Sequence, residues 1–194
     1  MPASKVHPAL ELPFPAALPA DDSASSRPVQ EEVLFLFDEC ALGLRRYVGS
    51  FGLGPVTTDD ILQDVFLSLF RHLSMGRPRH NLKGWLFRVA HNLALKHRQK
   101  AQRRQRTEGE WNTTLVDRAV DPAADPEQQL SDDRRRLRLC HVLRAMPERD
   151  RQCVYLRAEG LRYRDIARTL GISLGSVAKS LTRAITRLTS ADLE

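Results

Sequence analysis

Apolar residues recur at helical spacing along most of this chain, and no segment alternates between apolar and polar residues as a half-buried β-strand does. One stripe comprises Val33, Leu34, Leu36, Phe37, Cys40, Leu44 and Val48. A second comprises Ile61, Leu62, Val65, Phe66, Leu69, Phe70 and Leu73. We therefore expect an all-α protein, built as two small helical domains joined by a flexible linker.

Breaks in this pattern divide the chain into four parts. Residues 1–30 contain six prolines, with Ala and Ser filling much of the rest, and this composition predicts a disordered leader. Residues 31–98 are expected to form the first helical domain and residues 130–190 the second. Residues 99–129 are polar, lack a steady period and are interrupted by glycine and proline, so we expect a linker there.

Composition excludes several classes of protein. No run approaches the ~18 consecutive apolar residues that a membrane helix needs, and prolines break any apolar core of a signal peptide. Cys40, Cys140 and Cys153 are isolated and lack C-x-x-C spacing, which argues against a disulfide framework or a zinc site. We expect them to be small buried residues of a reduced, soluble, cytoplasmic protein that holds no metal or cofactor.

The charged residues are arranged in blocks that the net charge of +6 conceals. Residues 31–70 carry seven acids and two bases, whereas residues 71–106 carry eleven bases and no acid. Residues 107–133 then carry eight acids and one base. Because so many like charges would repel one another, the basic block indicates a nucleic-acid-binding surface, where phosphates neutralise the bases.

The sequence predicts the start of the second helix of the first domain and the two faces of its third helix. Thr57 is a good helix N-cap, and we expect Asp59 and Asp60 in the first helical turn, where the helix dipole favours acids. The third helix follows a basic loop, residues 74–81. Its apolar face is expected to comprise Leu82, Trp85, Leu86, Val89, Ala90, Leu93 and Leu95. Its other face is expected to comprise Lys83, Arg88, His91, Lys96 and Arg98.

Residues 163–180 carry the most specific local pattern, which predicts a helix-turn-helix in the second domain. A short first helix is expected from Tyr163 to Leu170, and Gly171 supplies the left-handed residue that ends it. Ser173 is expected to cap the second helix. Its buried face is expected to comprise Val177, Leu181, Ile185 and Leu188. The opposite face has bases and hydroxyls suited to phosphates and base edges: Ser176, Lys179, Ser180, Arg183 and Arg187.

Together the two halves resemble the extracytoplasmic-function sigma factors of bacterial RNA polymerase. Asp59-Asp-Ile-Leu-Gln-Asp-Val-Phe-Leu resembles the acidic core-binding helix of that family, and Gly84-Trp-Leu-Phe-Arg-Val-Ala-His-Asn-Leu-Ala-Leu resembles its minus-ten segment. Met146-Pro-Glu-Arg-Asp-Arg-Gln, Gly160-Leu-Arg-Tyr-Arg-Asp-Ile-Ala and Gly171-Ile-Ser-Leu-Gly-Ser-Val-Ala-Lys-Ser-Leu resemble its minus-thirty-five-binding region. This chain departs from the family at Lys96, where Asp is usual, and at Asp64, where Glu is commoner.

The resemblance implies a transcription initiation factor that is not an enzyme. It implies that core RNA polymerase is bound by Asp60, Gln63, Asp64 and Phe66. It implies that promoter DNA is bound in the first domain by Arg79, His80, Asn81, Lys83, Arg88, Lys96 and Arg98. In the second domain the DNA contacts would be Ser176, Lys179, Ser180, Arg183 and Arg187. The family also leads us to expect an anti-sigma partner, with no catalytic residue, metal or membrane insertion.

Three other classes of protein remain as alternatives. A stand-alone helix-turn-helix regulator would share the second domain, but it would not explain the acidic helix or the segment from Trp85 to Arg98. A recombinase would need a catalytic α/β domain with strands, and a nucleoid protein would bind DNA without sequence preference. Only a sigma factor should be inert at a promoter until core polymerase is added.

Overall fold

The computed structural model describes residues 28–108 and 126–192, and these residues form seven helices and no strand. The helices are α1 (Val29–Gly49), α2 (Pro55–Ser74), α3 (Leu82–Glu108), α4 (Pro126–Ala145), α5 (Glu148–Ala158), α6 (Tyr163–Leu170) and α7 (Leu174–Asp192). The all-α class is confirmed. We refer to α1–α3 as the N-terminal unit and to α4–α7 as the C-terminal unit. The predicted disordered leader and most of the predicted linker lie outside the described residues.

The N-terminal unit is an antiparallel pair of helices, α1 and α2, with α3 packed against both. α2 begins earlier than expected, because Pro55 occupies its first turn and Gly54 is the N-cap. The expectation that Thr57 caps this helix is therefore wrong, and no acid lies in its first turn. Proline suits the first helical position, where its missing N–H has no helical partner in any case.

Helix α3 is longer than the sequence suggested, since it continues from Arg98 to Glu108. The segment 99–129, expected as a linker, is therefore helical at its start and again from Pro126. Its first ten residues are mostly Gln, Arg, Lys and Ala, which are good helix formers once a helix has been nucleated.

The C-terminal unit contains the helix-turn-helix, formed by α6 and α7. Gly171 has a φ of 65°, so it ends α6 in the left-handed conformation that glycine adopts without strain. The Ser173 hydroxyl accepts a hydrogen bond from the Ser176 backbone N–H at 3.2 Å, which caps α7. The predicted limits of the first helix, the turn residue and the cap are all confirmed.

The buried stripe of α7 differs from the expected one at Ile185, and Leu188 is only half-buried. Val177, Leu181 and Ala184 are buried, whereas the side chain of Ile185 is 55% exposed. A helix has 3.6 residues per turn, so a stripe that steps by four drifts out of the core after two steps and returns with a step of three. In α4, Leu137 is 59% exposed and Cys140 lies on the surface.

The two units pack directly on each other. Helix α6 lies against α3, and α5 lies against α1. Their buried side chains form one continuous apolar core, in which Leu44 and Tyr47 of the N-terminal unit join Cys153 and Leu156 of the C-terminal unit. No helix of the described segments has the length and apolar content needed to cross a membrane.

Candidate functional site

An apolar groove runs along the surface of the N-terminal unit between α1 and α2. It has a volume of about 480 Å³, and α1 and α2 each form one of its walls. Phe37 and Phe66 face each other across it with ring centroids 4.9 Å apart. Arg45 and Asp59 bridge the two helices at one end of the groove, with 2.6 Å between their charged atoms. We call this feature the α1–α2 groove.

The four residues expected to bind polymerase all lie on α2. Gln63 and Phe66 line the α1–α2 groove, and Phe66 is buried with an exposed fraction of only 8%. Asp60 and Asp64 are exposed on the same helix, outside the lining of the groove. The structure therefore combines a floor that is mostly apolar with an acidic edge, which is the usual composition of a protein-binding surface.

Sequence reasoning missed several residues of this groove. Phe37, Leu67 and Phe70 also line it, and each is at least 40% exposed. Three large apolar residues exposed side by side are unusual on a monomer surface and mark a site of interaction. The available signal was the number of apolar residues in α1 and α2, which exceeds what one buried stripe can hold.

The basic loop between α2 and α3 is held in place by side chains of the N-terminal unit. One ring nitrogen of His72, Nε2, is hydrogen-bonded to the Pro78 carbonyl oxygen at 2.9 Å. The Arg79 guanidinium donates to the Glu32 carboxylate at 2.7 Å. His80 is exposed. Of these two predicted DNA contacts, Arg79 thus has an acidic partner in α1, and His80 faces solvent.

Asn81 occupies a strained position at the start of α3. Its φ of 55° is left-handed, a conformation that asparagine tolerates better than most residues. Its side-chain oxygen accepts a hydrogen bond from the Gly84 N–H at 3.3 Å. Its amide nitrogen donates to Asp165 of α6 at 2.7 Å. Asn81 therefore joins the end of the basic loop both to α3 and to the C-terminal unit.

The bases of α3 are spread over an exposed edge and a half-buried edge of the helix. Lys96 is exposed, whereas Lys83 and Arg88 are half-buried. The Arg98 guanidinium forms a short ion pair with Glu148 of α5 and lies 5.5 Å from the ring centroid of Phe51. Trp85 is half-buried, and its ring centroid is 4.7 Å from that of His72.

His91 was expected on the basic face of α3, and this expectation is wrong. Its ring is buried, and its Nδ1 atom is hydrogen-bonded to the Tyr47 hydroxyl at 2.8 Å. Burial lowers the pKa of His91 to about 4, so the imidazole is neutral at pH 7. Phe87, one helical turn before it, is fully buried and marks this second apolar edge of α3.

The outer face of α7 presents three exposed bases from the predicted set, Lys179, Arg183 and Arg187. Ser176 is half-buried, and its hydroxyl lies 2.9 Å from that of Ser173. Because α7 is the second helix of a helix-turn-helix, this face has the position of a major-groove recognition surface. Exposed bases of α6 that were not predicted, Arg164 and Arg168, lie before it in the same motif.

Ser180 and Arg183 have a structural role that the sequence did not indicate. Ser180 is buried, so the expectation that it lies on the outer face is wrong. Arg183 donates two hydrogen bonds to Asp150 of α5, at 2.7 and 3.1 Å, and a third to Ser180 at 3.3 Å. The hydrogen bonds from Arg183 hold the pKa of the Asp150 carboxyl below its usual range, although burial of the carboxyl opposes this shift.

The parts of the chain that the structure describes contain no group of side chains arranged as metal ligands. Among residues 28–108 and 126–192, no three His, Cys, Asp or Glu side chains are grouped to hold a metal ion. Cys40 and Cys153 are buried as expected, and burial raises the pKa of both thiols. Cys140 is exposed, which contradicts its expected burial.

Comparisons with protein families identify both units. Residues 36–104 match the family described as Sigma-70 region 2, which covers most of α1–α3. Residues 136–188 match the family described as Sigma-70, region 4, which covers the helix-turn-helix. The two matches occur in the order that the sequence motifs suggested.

Known sigma factors are similar to this chain over most of its described length. The chain is 33% identical over 126 residues to the ECF RNA polymerase sigma factor SigE of Mycolicibacterium smegmatis, a match that covers 64% of this chain and 48% of that protein. It therefore spans about half the length of this relative. It is 30% identical over 129 residues to the sigma factor YlaC of Bacillus subtilis, which covers 66% of this chain and 73% of YlaC.

Two solved structures share the fold. The sigma factor RpoE in complex with the anti-sigma factor NepR from Bartonella quintana superposes with a TM-score of 0.64 at 21% identity, covering 84% of this chain and 94% of RpoE. CnrH in complex with the cytosolic domain of CnrY gives a TM-score of 0.53 at 20% identity, with coverages of 83% and 87%. With both sigma-70 regions matched in order and relatives of this similarity, the chain belongs to the extracytoplasmic-function sigma factors of bacterial RNA polymerase.

Proposed function

We propose that this chain is a transcription initiation factor that binds core RNA polymerase, directs it to specific promoters and helps to open the minus-ten DNA. The observation that carries this proposal is the α1–α2 groove with its acidic edge. A free regulator has no need of such a surface, because its DNA contacts lie on other helices. We expect Gln63, Phe66 and the exposed Phe37 to contact polymerase, with Asp60 and Asp64 at the rim.

Apolar and charged residues would contribute differently to polymerase binding. Aromatic side chains in the centre of a protein interface contribute most of the binding free energy, while charges at the rim govern specificity and the association rate. Phe37 is 47% exposed and its ring already packs against that of Phe66 at a tilt of 56°, so it can be buried at little entropic cost. Asp60 and Asp64 would attract a basic surface of the polymerase.

Promoter contacts would come from both units. In the C-terminal unit we propose that Lys179 and Arg187 bind the minus-thirty-five element, with Ser176 beside them on α7. Arg183 is half-exposed but committed to Asp150, so its proposed DNA contact is secondary to its role in the fold. We leave buried Ser180 out of the proposed contacts.

At the minus-ten element the DNA has to be single-stranded. Exposing unstacked bases costs a few kcal/mol, and pockets, stacking and backbone contacts recover it. We propose that His80 and Asn81 contact an extruded base. The bases proposed to neutralise the phosphate backbone are Arg79, Lys83, Arg88, Lys96 and Arg98. Trp85 is packed against His72 and is assigned to the support of the basic loop.

Relatives suggest how such a factor is restrained. RpoE of Bartonella quintana was solved with the anti-sigma factor NepR, and CnrH was solved with the cytosolic domain of CnrY. By analogy we propose that an anti-sigma protein binds this chain. Since polymerase and promoter DNA are in the cytoplasm, we propose that the chain acts there, and we assign it no catalytic reaction of its own.

The test is run-off transcription from a library of promoter fragments by bacterial core polymerase with and without this protein. We expect transcripts that depend on the protein and that disappear with Asp64→Arg, because a base at the acidic edge would repel a basic partner. Glu39→Arg, the same change of charge on the exposed surface of α1, should retain transcription. Sequence-specific DNA binding by the protein alone, without core binding or transcripts, would favour the stand-alone regulator instead.

A further inference from the structure

The α1–α2 groove is an elongated apolar surface that the described residues leave uncovered. Three of its lining side chains, Phe37, Leu67 and Phe70, are each at least 40% exposed. On α1 the lining residues run from Val33 to Arg45, so this wall extends for about 18 Å at ~1.5 Å per residue. A surface of this shape fits one extended segment of polypeptide that carries apolar side chains.

The sequence immediately before α1 contains such a segment. Residues 8–19 have a single charged residue, Glu11, and they include four prolines and four large apolar residues: Pro8, Leu10, Leu12, Pro13, Phe14, Pro15, Leu18 and Pro19. We call residues 8–19 the proline-rich segment. Residues 20–27 differ from it, since they consist of Ala, Asp, Ser and Arg and have no large apolar residue. A polar connection therefore joins an apolar segment to the start of α1.

The composition of the proline-rich segment suits the lining of the groove. Proline favours the extended polyproline II conformation, which loses little entropy on binding and docks into grooves lined by aromatic side chains. Three phenylalanines line this groove: Phe37, Phe66 and Phe70. At ~3.1 Å per residue, about six residues in this conformation fill a wall of about 18 Å. Residues 12–17, with Phe14 among them, have the length and the apolar content required.

The polar connection is long enough for the segment to reach the groove of its own chain. Residues 20–27 span at most ~28 Å when extended, whereas the wall on α1 begins at Val33, about one helical turn after the start of the helix. Short flexible connections of this kind give an effective concentration of about 1 mM. A segment with a dissociation constant of only ~0.25 mM would therefore occupy the groove about 80% of the time.

We propose that the proline-rich segment binds in the α1–α2 groove of the same chain and competes there with RNA polymerase. The competition rests on the proposed function, because it takes the groove as the polymerase-binding surface, whereas the binding of the segment does not depend on that function. When the groove is free for about a fifth of the time, the apparent dissociation constant for polymerase is raised about fivefold. Residues 8–19 thus set how much polymerase is needed to form holoenzyme.

The first test locates the segment by photo-crosslinking in the full chain. We would replace Phe14 by the photoreactive analogue p-benzoylphenylalanine and map the crosslinks of the monomeric product by mass spectrometry. We expect them to join position 14 to residues 33–45 of α1 or 59–70 of α2. The same analogue in place of Ala3, outside the segment, should give far fewer crosslinks to these residues. Phe37→Asp should also reduce the crosslinks from position 14, because it places a charge in the groove.

The second test measures the affinity of the fluorescently labelled full chain for bacterial core polymerase. Leu12→Ser with Phe14→Ser removes two large apolar side chains from the segment, and this variant should bind polymerase about fivefold more tightly than wild type. Val6→Ser with His7→Ser is the matched control, since it changes the two residues before the segment. This control should bind polymerase as wild type does.

Crosslinks from position 14 to other surfaces, or only to a second copy of the chain, would overturn the binding of the segment in its own groove. Crosslinks to the groove, together with equal polymerase affinities for the double variant and its control, would overturn the competition. If wild type does not bind core polymerase at all, the proposed function fails. In that case crosslinks to the groove would still establish where the segment binds.

Discussion

Asp150 and Arg183 are joined by two hydrogen bonds, at 2.7 and 3.1 Å, although the side chain of Asp150 is 1% exposed and that of Arg183 is 54% exposed. The pair ties the first turn of α5 to the middle of α7. The guanidinium is therefore the main compensation for a carboxylate that has been removed from water. The recognition helix is thus positioned by one of the residues that its outer face was expected to offer to DNA.

Arg183→Gln is predicted to lower the melting temperature of the protein, because it leaves the buried Asp150 without its charged partner. Thermal unfolding followed by circular dichroism measures the change. Arg187→Gln, on the exposed face of the same helix, should change the stability by less than about 0.5 kcal/mol. For promoter binding by holoenzyme, at a temperature where both variants are folded, Arg187→Gln should have the larger effect and Arg183→Gln the smaller. Equal melting temperatures for the two variants would contradict this role of Arg183.

The stability of the fold is predicted to fall as the pH is lowered from about 6.5 towards 4, because of His91. Its pKa is lowered to about 4 in the folded chain by burial, whereas an unfolded histidine titrates near 6.5. Below pH ~6.5 the unfolded chain therefore binds a proton that the folded chain does not, and this costs up to about 3 kcal/mol of stability. Above that pH His91 is neutral in both the folded and the unfolded chain, so its burial no longer makes the stability depend on pH.

Urea unfolding at pH 7.5 and pH 5 measures this dependence. His91→Gln should remove most of the difference between the two pH values, because glutamine can still bond to Tyr47 but does not titrate. His141→Gln is the control, since that histidine is exposed on α4. A pH dependence that survives His91→Gln and not His141→Gln would show that another group is responsible.

Local sequence was sufficient to predict the elements whose geometry is decided by a few adjacent residues. Gly171 and Ser173 fix the turn of the helix-turn-helix through one backbone conformation and one cap, and both were predicted. The burial of Ser180 was not predicted, since a small polar side chain can be buried when its hydroxyl has a hydrogen-bond partner, here Arg183. Its placement depends on α5, which is distant in sequence.

The contacts between the two units could not be predicted from the sequence. Asn81 and Asp165 are separated by 84 positions, and neither has a spacing or neighbour that points to the other. The α1–α2 groove was only half predicted, because the acids of α2 follow a recognisable motif whereas Phe37 becomes a wall of the groove only when α1 packs on α2. Pairwise packing of helices is decided by shape as much as by periodicity.

Gly84→Ala is predicted to destabilise the N-terminal unit by about 1 kcal/mol, whereas alanine normally stabilises a helix relative to glycine. A Cβ atom at Gly84 would lie 2.7 Å from the Asn81 amide nitrogen, so Asn81 would have to abandon its bonds to the Gly84 N–H and to Asp165. At Gly175 of α7 a Cβ atom would meet nothing within 4 Å. Gly175→Ala should therefore stabilise the protein slightly, and chemical unfolding compares the two. We expect the two changes in the free energy of unfolding to have opposite signs. If Gly84→Ala stabilised the protein, the hydrogen bonds of Asn81 would not depend on this glycine.

Lys96 is predicted to contribute one phosphate contact, so that its loss changes the salt dependence of promoter binding. If the holoenzyme neutralises six phosphates through this chain, the logarithm of affinity should fall with the logarithm of salt concentration with a slope of about −5. Lys96→Gln should reduce that slope by about 0.7 to 0.9 at every promoter tested, because a phosphate contact does not read sequence. Asn92→Ala is the control on the same helix, since Asn92 is exposed and uncharged. An unchanged slope for Lys96→Gln would place this lysine away from the DNA, and an effect on some promoters and not others would indicate that it reads a base.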